Sequence, residues 1–349
     1  MNIDTDRLRD AHIMVVGCGA LGNEVLKNLV LLGIGHLVVV DFDVVEQGNL
    51  TRSILFRPTD VGRRKVDVVK DALRGINADA DVQAIHGDVA YDVGLALIRQ
   101  MDVVMGCVDS RWARYCIQRL CTRVGKTWID GGIIGMEGTM RVFVPGVNCY
   151  ACGLGTEGLD ELRRRMPCSG MIRQMEAAGH APTTSVAASV IGAWQAAEAL
   201  KVLAGVPTER NICYYDGETM SVRKAVLEAW DDDCALHEEW TPIETAREHS
   251  LQHLLTLGTV VLDDAFVDYI VNRETGERTE VMLPAHRVAD FVRQHPQLST
   301  IPTTKLYQHE YAEIDTSFPY PTLPPATLGI PAHDIVKIKT PTSYRYVEL

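Results

Sequence analysis

The amino-acid sequence predicts an α/β protein: a Rossmann-like, doubly wound, mostly parallel sheet followed by a smaller α+β C-terminal region. Three observations predict it. Short β-branched runs alternate with helical patterns through the first half of the chain, as in a parallel sheet covered by helices. The first strand–helix junction reads Gly17-Cys18-Gly19-Ala20-Leu21-Gly22, a turn in which glycine lets the backbone bend tightly and lie close to a phosphate. The second strand run ends on Asp41, about 20 residues past the turn, where a carboxylate can hold a ribose hydroxyl.

The elements follow in order. Apolar runs at 13–16, 37–40, 82–85 and 103–107 are expected strands, and 21–32, 63–76, 93–100 and 111–124 carry helical patterns. A strand and turn follow at 127–132, and a strand at 139–144 closed by Pro145-Gly146. From 148 to 182 the pattern weakens, with several glycines and the charged run Asp160-Glu161-Leu162-Arg163-Arg164-Arg165; long irregular connections in compact domains are often functional. A helix is expected to start at Pro182-Thr183-Thr184 and to end at Gly205. Acidic runs at 231–233 and 238–239 mark a change, so residues 1–240 and 241–349 are read as two domains. The second should hold a hairpin (266–272 with 278–283), a helix (285–294), a stretch rich in proline and threonine (296–331) and two closing strands (334–339, 343–348).

Composition narrows the function. The formal charge of −12 excludes binding to a phosphate backbone, which needs clustered Lys and Arg. The acidic start lacks the basic and apolar regions of a secretory signal. The most apolar long segment, 186–203, contains Gln195, Glu198 and Lys201 and reads as a buried helix, not a membrane span. A cytoplasmic protein is expected, whose nine cysteines serve thiol chemistry or metal rather than disulfides.

Beyond Asp41-Phe42-Asp43 come Asn49, Arg52 and, at a helix start, Lys65. An Arg and a Lys at the mouth of the glycine turn would neutralise a triphosphate, which a dehydrogenase has less need to do. Asp109 follows the strand at 103–107, at the edge where ligands bind in open sheets, and a carboxylate there can anchor Mg²⁺. Taken singly, Arg52, Lys65 and Asp109 could be solvated surface charges. Cys149-x-x-Cys152 and Cys234-x-x-His237 could together supply a tetrahedral structural zinc site; the alternative is two unrelated thiol pairs.

This ordered set resembles the adenylating enzymes that activate ubiquitin, SUMO and the bacterial sulfur carriers, the ThiF/MoeB/HesA group, over residues 10–237. The resemblance rests on Gly17-x-Gly19-x-x-Gly22, Asp41-x-Asp43, Asn49-Leu-x-Arg52, Gly62-Arg63-x-Lys65, Val108-Asp109-Ser110-Arg111, Cys149-x-x-Cys152 and Gln195-Ala196-x-Glu198-Ala199-x-Lys201. It implies that Asp41 holds the ribose of ATP, that Asn49, Arg52 and Lys65 contact the phosphates, and that Asp109 serves Mg²⁺ and the attacking carboxylate. His237 stands where the family usually has Cys, and Ser53 where it usually has Gln.

In thioester-forming members the nucleophile lies in a crossover loop, here 153–182, which points to Cys168. Arg163, Arg164, Arg165 and Arg173 could lower its pKa; the alternative is an inert loop cysteine. The expected activity is ATP-dependent adenylation of the C-terminal carboxylate of a ubiquitin-like protein with a flexible tail, then thioester formation on Cys168 and transfer to a conjugating enzyme. Adenylation alone, of a sulfur carrier or a peptide, and a non-catalytic scaffold subunit are the alternatives. By the same resemblance a homodimer is expected. Family analogy has the region past 241 recruit a conjugating protein or the modifier, and a compact activator with such a tail resembles those of bacterial ubiquitination-like operons, some of them antiviral.

Overall fold

The computed structural model describes residues 5–154, 158, 183–207, 211–227, 230–232, 234, 236–241 and 243–349. The chain forms two compact units, Met1–Ala90 with Ile98–Glu239, and Tyr91–Leu97 with Trp240–Leu349. Cys168 and the four arginines near it lie outside the described residues, as does most of the expected crossover loop.

The first unit is built on an eight-stranded sheet. Its strands are β1 (His12–Val16), β2 (His36–Val40), β3 (Asp81–Ile85), β4 (Val103–Gly106), β5 (Trp128–Ile134), β6 (Glu137–Phe143), β7 (Asn211–Asp216) and β8 (Ser221–Val226). They lie in the order β3-β2-β1-β4-β5-β6-β7-β8. The first five are parallel; the last three continue as an antiparallel meander. Ile13, Met14, Val15 and Val16 are all buried, as are Leu37, Val38, Val39 and Val40. Such continuous apolar runs mark central strands covered on both faces. The order reverses between β1 and β4, and the crevice at their carboxyl ends is where open α/β sheets take ligands.

Among the described residues the helices of this part are α1 (Thr5–Arg9), α2 (Ala20–Leu31), α3 (Lys65–Ile76), α4 (Leu95–Gln100), whose first three residues belong to the second unit, α5 (Arg111–Arg123) and α6 (Ser185–Leu203). Two carry the caps their sequences suggest: Ser110 Oγ accepts from Ala113 N at 2.9 Å, and Thr184 Oγ1 from Ala187 N at 3.2 Å. By length and composition α6 could span a membrane. Here it packs on α2, β5 and β6, with Ile191, Ala199 and Gln195 fully buried. The Gln195 amide donates to the carbonyls of Gly106 and Ile129, each at 3.1 Å, which accounts for a polar residue on its buried face.

The second unit centres on the long strand β10 (Thr259–Asn272), with β9 (Ile243–Thr245), β11 (Arg278–Pro284), β12 (Leu306–Ile314), β13 (Ile335–Lys339) and β14 (Tyr344–Glu348). The order is β11-β10-β13-β14-β9, with β12 also on β10. Helices α7 (Leu251–Leu257), α8 (Ala285–Gln294) and the short α9 (Pro296–Ser299) also belong to it. The expected hairpin, the helix at 285–294 and the closing strand pair are present. The proline- and threonine-rich stretch holds a strand, β12, which the sequence did not suggest. Residues 91–97 belong to this unit. Tyr91 stacks on His286 at 3.9 Å, Asp92 pairs with Arg287 at 3.0 Å, and Leu95 N donates to Asp334 Oδ1 at 2.9 Å.

Candidate nucleotide site and metal centre

The glycine turn sits at the reversal point of the sheet. Gly17 has φ +95°, a left-handed conformation that favours glycine. Its N–H donates to Val40 O at 2.8 Å, while Cys107 N donates to Val16 O at 2.8 Å. The turn therefore lies among the carboxyl ends of β1, β2 and β4. A Cβ on Gly17 would lie 2.9 Å from the Cys107 carbonyl carbon, and one on Gly22 2.9 Å from that of Gly17. Both positions must be glycine for the backbone to close. Gly19 differs: nothing lies within 4 Å of a Cβ there, so the space over it is open to a ligand.

Asp41 leaves the end of β2 and turns onto this loop. One carboxylate oxygen accepts from Cys18 N at 2.7 Å and the other from Asp43 N at 2.8 Å. Lys65, at the start of α3, reaches Asp43 Oδ2 at 2.7 Å. Burial pushes the Asp41 carboxyl above its ordinary range, partly offset by Lys65 and by the amides of Cys18 and Asp43. Burial works against the Lys65 ammonium, but Asp41 and Asp43 outweigh it, so the lysine holds its charge more tightly than usual. The Cys18 thiol is pushed up by burial and by Asp41, which fits a packing role.

The loop bearing Asn49 and Arg52 is tied to the turn by a residue that belongs to none of the motifs. Asn23, fully buried on α2, donates to Cys18 O at 2.7 Å and Gly19 O at 3.0 Å, and its Oδ1 accepts from Leu55 N at 2.9 Å. Its place one step after Gly22, at the start of α2, was the available signal. The Asn49 side chain accepts from Glu46 N at 3.0 Å, and Arg52 donates to Gly48 O at 3.1 Å, so both hold their own loop. Asp109 is exposed beyond β4 and makes no hydrogen bond or ion pair with the described residues. The structure thus joins Asp41, Asp43 and Lys65 directly, and sets Asp109 two residues past the Cys107 carbonyl that packs on Gly17.

The metal-type residues also converge. One donor atom from each of Cys149, Cys152, Cys234 and His237 lies within 4.8 Å of the others. Tetrahedral zinc, about 2.3 Å from sulfur and 2.0–2.1 Å from nitrogen, would set sulfur and nitrogen about 3.6 Å apart; Cys152 Sγ and His237 Nε2 are 3.5 Å apart. His237 stacks on Trp230 at 3.3 Å, and burial lowers its pKa, favouring the neutral ring that binds metal. The donor set fits a closed zinc site.

Comparison with known proteins identifies the fold's relatives. The ThiF family model matches residues 2–236. The chain is 32% identical over 231 residues to the adenylyltransferase and sulfurtransferase MOCS3-1 of Zea mays, covering 65% of this chain and 47% of that protein. It is 33% identical over 230 residues to the sulfur carrier protein adenylyltransferase of Thermus thermophilus, covering 64% and 80%. The chain thus spans less than half the length of the maize protein. The E. coli MccB structure with ATP shares the fold, with TM-score 0.53 and 22% identity over 66% of this chain and 68% of that one. With the family model matching two thirds of its length, this chain belongs to the ThiF family.

Proposed function

We propose that this chain joins AMP to the C-terminal carboxylate of a small ubiquitin-like or sulfur-carrier protein. One observation carries the reading: the hydrogen-bonded line from Lys65 through Asp43 and Asp41 to Cys18 N, set over the glycine turn at the sheet's reversal point. It sets a ribose-binding carboxylate and a held cation beside the start of α2, within one crevice. A carboxylate oxygen of the partner's tail attacks the α-phosphorus of ATP, the bond to the bridging oxygen breaks, and pyrophosphate leaves. Lys65, Arg52 and Asn49 offset charge on the phosphates. Asp109 holds Mg²⁺, which stabilises that charge further when bound. The acyl-adenylate makes an electrophile of a carboxylate whose own leaving group would be oxide. Zinc at the Cys149–Cys152–Cys234–His237 cluster is structural in this reading.

In a second step Cys168 attacks the acyl-adenylate, releases AMP and holds the partner as a thioester for a conjugating enzyme. The enzyme works as a homodimer in the cytoplasm, and the second unit recruits the partner. Adenylation alone, for a sulfur carrier, is the competing reading; the match to the Thermus relative, over 80% of its length, favours it.

The test is exchange of labelled pyrophosphate into ATP with purified ubiquitin-like and sulfur-carrier proteins from the same organism. Exchange that needs the partner's free terminal carboxylate supports adenylation; none with any partner refutes it. An adduct that reducing agent cleaves, and that Cys168→Ala abolishes, supports the second step. Exchange without such an adduct leaves adenylation alone.

A further inference from the structure

Among the described residues of the first unit, Asp130 is the most deeply buried charge, with 0% of its surface exposed. It sits in β5 between two arginines. Arg114 Nε on α5 donates to Asp130 Oδ1 at 2.8 Å, and Arg141 on β6 donates to Oδ2. Arg141 also lies over the Tyr150 ring at 5.4 Å. Burying such ions costs several kcal/mol each, and a buried pair is weak support for stability alone. Two further bonds of Arg114 suggest what the cluster does: its terminal nitrogen donates to Val108 O at 2.7 Å and to Gly131 O at 3.2 Å.

Val108 immediately precedes Asp109, whose exposed side chain makes no bond to the described residues. The backbone of the turn therefore sets where its Cα–Cβ bond points. That turn is held upstream by Cys107 N on Val16 O, at Val108 by Arg114, and downstream by the Ser110 cap of α5. Asp130 keeps the guanidinium of Arg114 in one orientation, and Arg141 keeps Asp130 in place.

We infer that Arg114, oriented by Asp130, is a positioning residue that presets the Asp109 turn for its magnesium ligand. The inference rests on the proposed role of Asp109. Arg114 bonds Asp130, Val108 O and Gly131 O, on the Asp109 side of the crevice. Its loss is therefore expected to change the coupling between Mg²⁺ and ATP and to leave metal-free ATP binding alone.

The experiment is calorimetric titration of the full chain with ATP in Mg²⁺ and in EDTA. The readout is the gain in affinity that magnesium confers. Wild type should show the gain, and Asp109→Asn should lose it. Arg114→Lys keeps a cation for Asp130 but cannot make the forked contacts to Val108 and Gly131. It should cut the magnesium gain by about tenfold or more, as residues that orient metal ligands do, with affinity in EDTA at the wild-type value. If Arg114→Lys does not fold, Asp130→Asn is the second variant, expected to act in the same direction. A folded variant with a lowered melting temperature but an unchanged magnesium gain overturns the inference and makes the cluster structural. Loss of the gain in Asp109→Asn alone thus upholds the reading of Asp109 and sinks the role of Arg114. A gain that survives Asp109→Asn removes both.

Discussion

Two glycines three residues apart should fail in different ways when each is changed to alanine. In Gly22→Ala the new methyl carbon would lie 2.9 Å from the Gly17 carbonyl carbon, and nearer still to its oxygen. Ordinary carbon–carbon contact is about 3.5–4.0 Å, so backbone must part from backbone by at least about 0.6 Å. Overpacking of this kind costs about 1–3 kcal/mol. At about 2 kcal/mol, the melting temperature of a domain of this size should fall by about 4–8 °C. Because the displaced atoms are the turn itself, nucleotide affinity falls with it. In Gly19→Ala the methyl meets nothing within 4 Å, and φ at Gly19 is −73°, so stability should stay at wild type. A methyl in that open space displaces a phosphate, and ATP affinity should drop by about tenfold or more, about 1.4 kcal/mol. The assay is a pair of melting curves with calorimetric ATP titrations. A Gly19→Ala protein that binds ATP as wild type does, or that melts as early as Gly22→Ala, would refute the assignment of the space over Gly19 to a phosphate.

Other predictions follow from single observations. Asp41 has its carboxyl pKa raised above the ordinary 3.8, chiefly by burial. Its contribution to stability is therefore full below about 3.8 and is lost as pH rises through the raised native value. Denaturation of wild type and Asp41→Asn from about pH 3.5 to 7 should show wild type losing ground to the variant as pH rises; a constant difference contradicts the shift. Cys234→Ser should lose zinc by elemental analysis and lower the melting temperature, and a chelator should do the same to wild type but not to the variant. In the second unit, a Cβ on Gly94 would lie 2.6 Å from the His333 carbonyl carbon. Gly94→Ala should loosen residues 91–97, seen as faster amide hydrogen exchange at Leu95 and Ala96, whose N–H groups bond Asp334 and His333.

Much of the first unit was legible because its signals are local. Val15-Val16 and Val38-Val39-Val40 are continuous apolar runs, and the glycine spacing between them fits only a strand–turn–helix unit. What stayed hidden depends on partners distant in sequence. Asp130 interrupts the apolar strand Trp128-Ile129-Asp130; the break was visible, but its meaning needed Arg114 and Arg141 beside it. Strand β8 is exposed along nearly its whole length, so no alternation marked it, and only Asp216-Gly217 hinted at a turn. Strand β12, Leu-Tyr-Gln-His-Glu-Tyr-Ala-Glu-Ile, is largely polar and exists by pairing with β10. The membership of residues 91–97 in the second unit rests on His286, Arg287, His333 and Asp334, which no local pattern connects to them.

The central claim is that Asp41, Lys65 and the glycine turn make a site for Mg·ATP. Calorimetry of wild type and Lys65→Ala against Mg·ATP and against NAD tests it most directly. The account predicts that wild type binds Mg·ATP and not NAD, and that Lys65→Ala weakens ATP by about tenfold or more, since a charge-assisted contact to phosphate is worth about 1.5–3 kcal/mol. Tight NAD binding without ATP binding, or ATP affinity indifferent to Lys65, would contradict it.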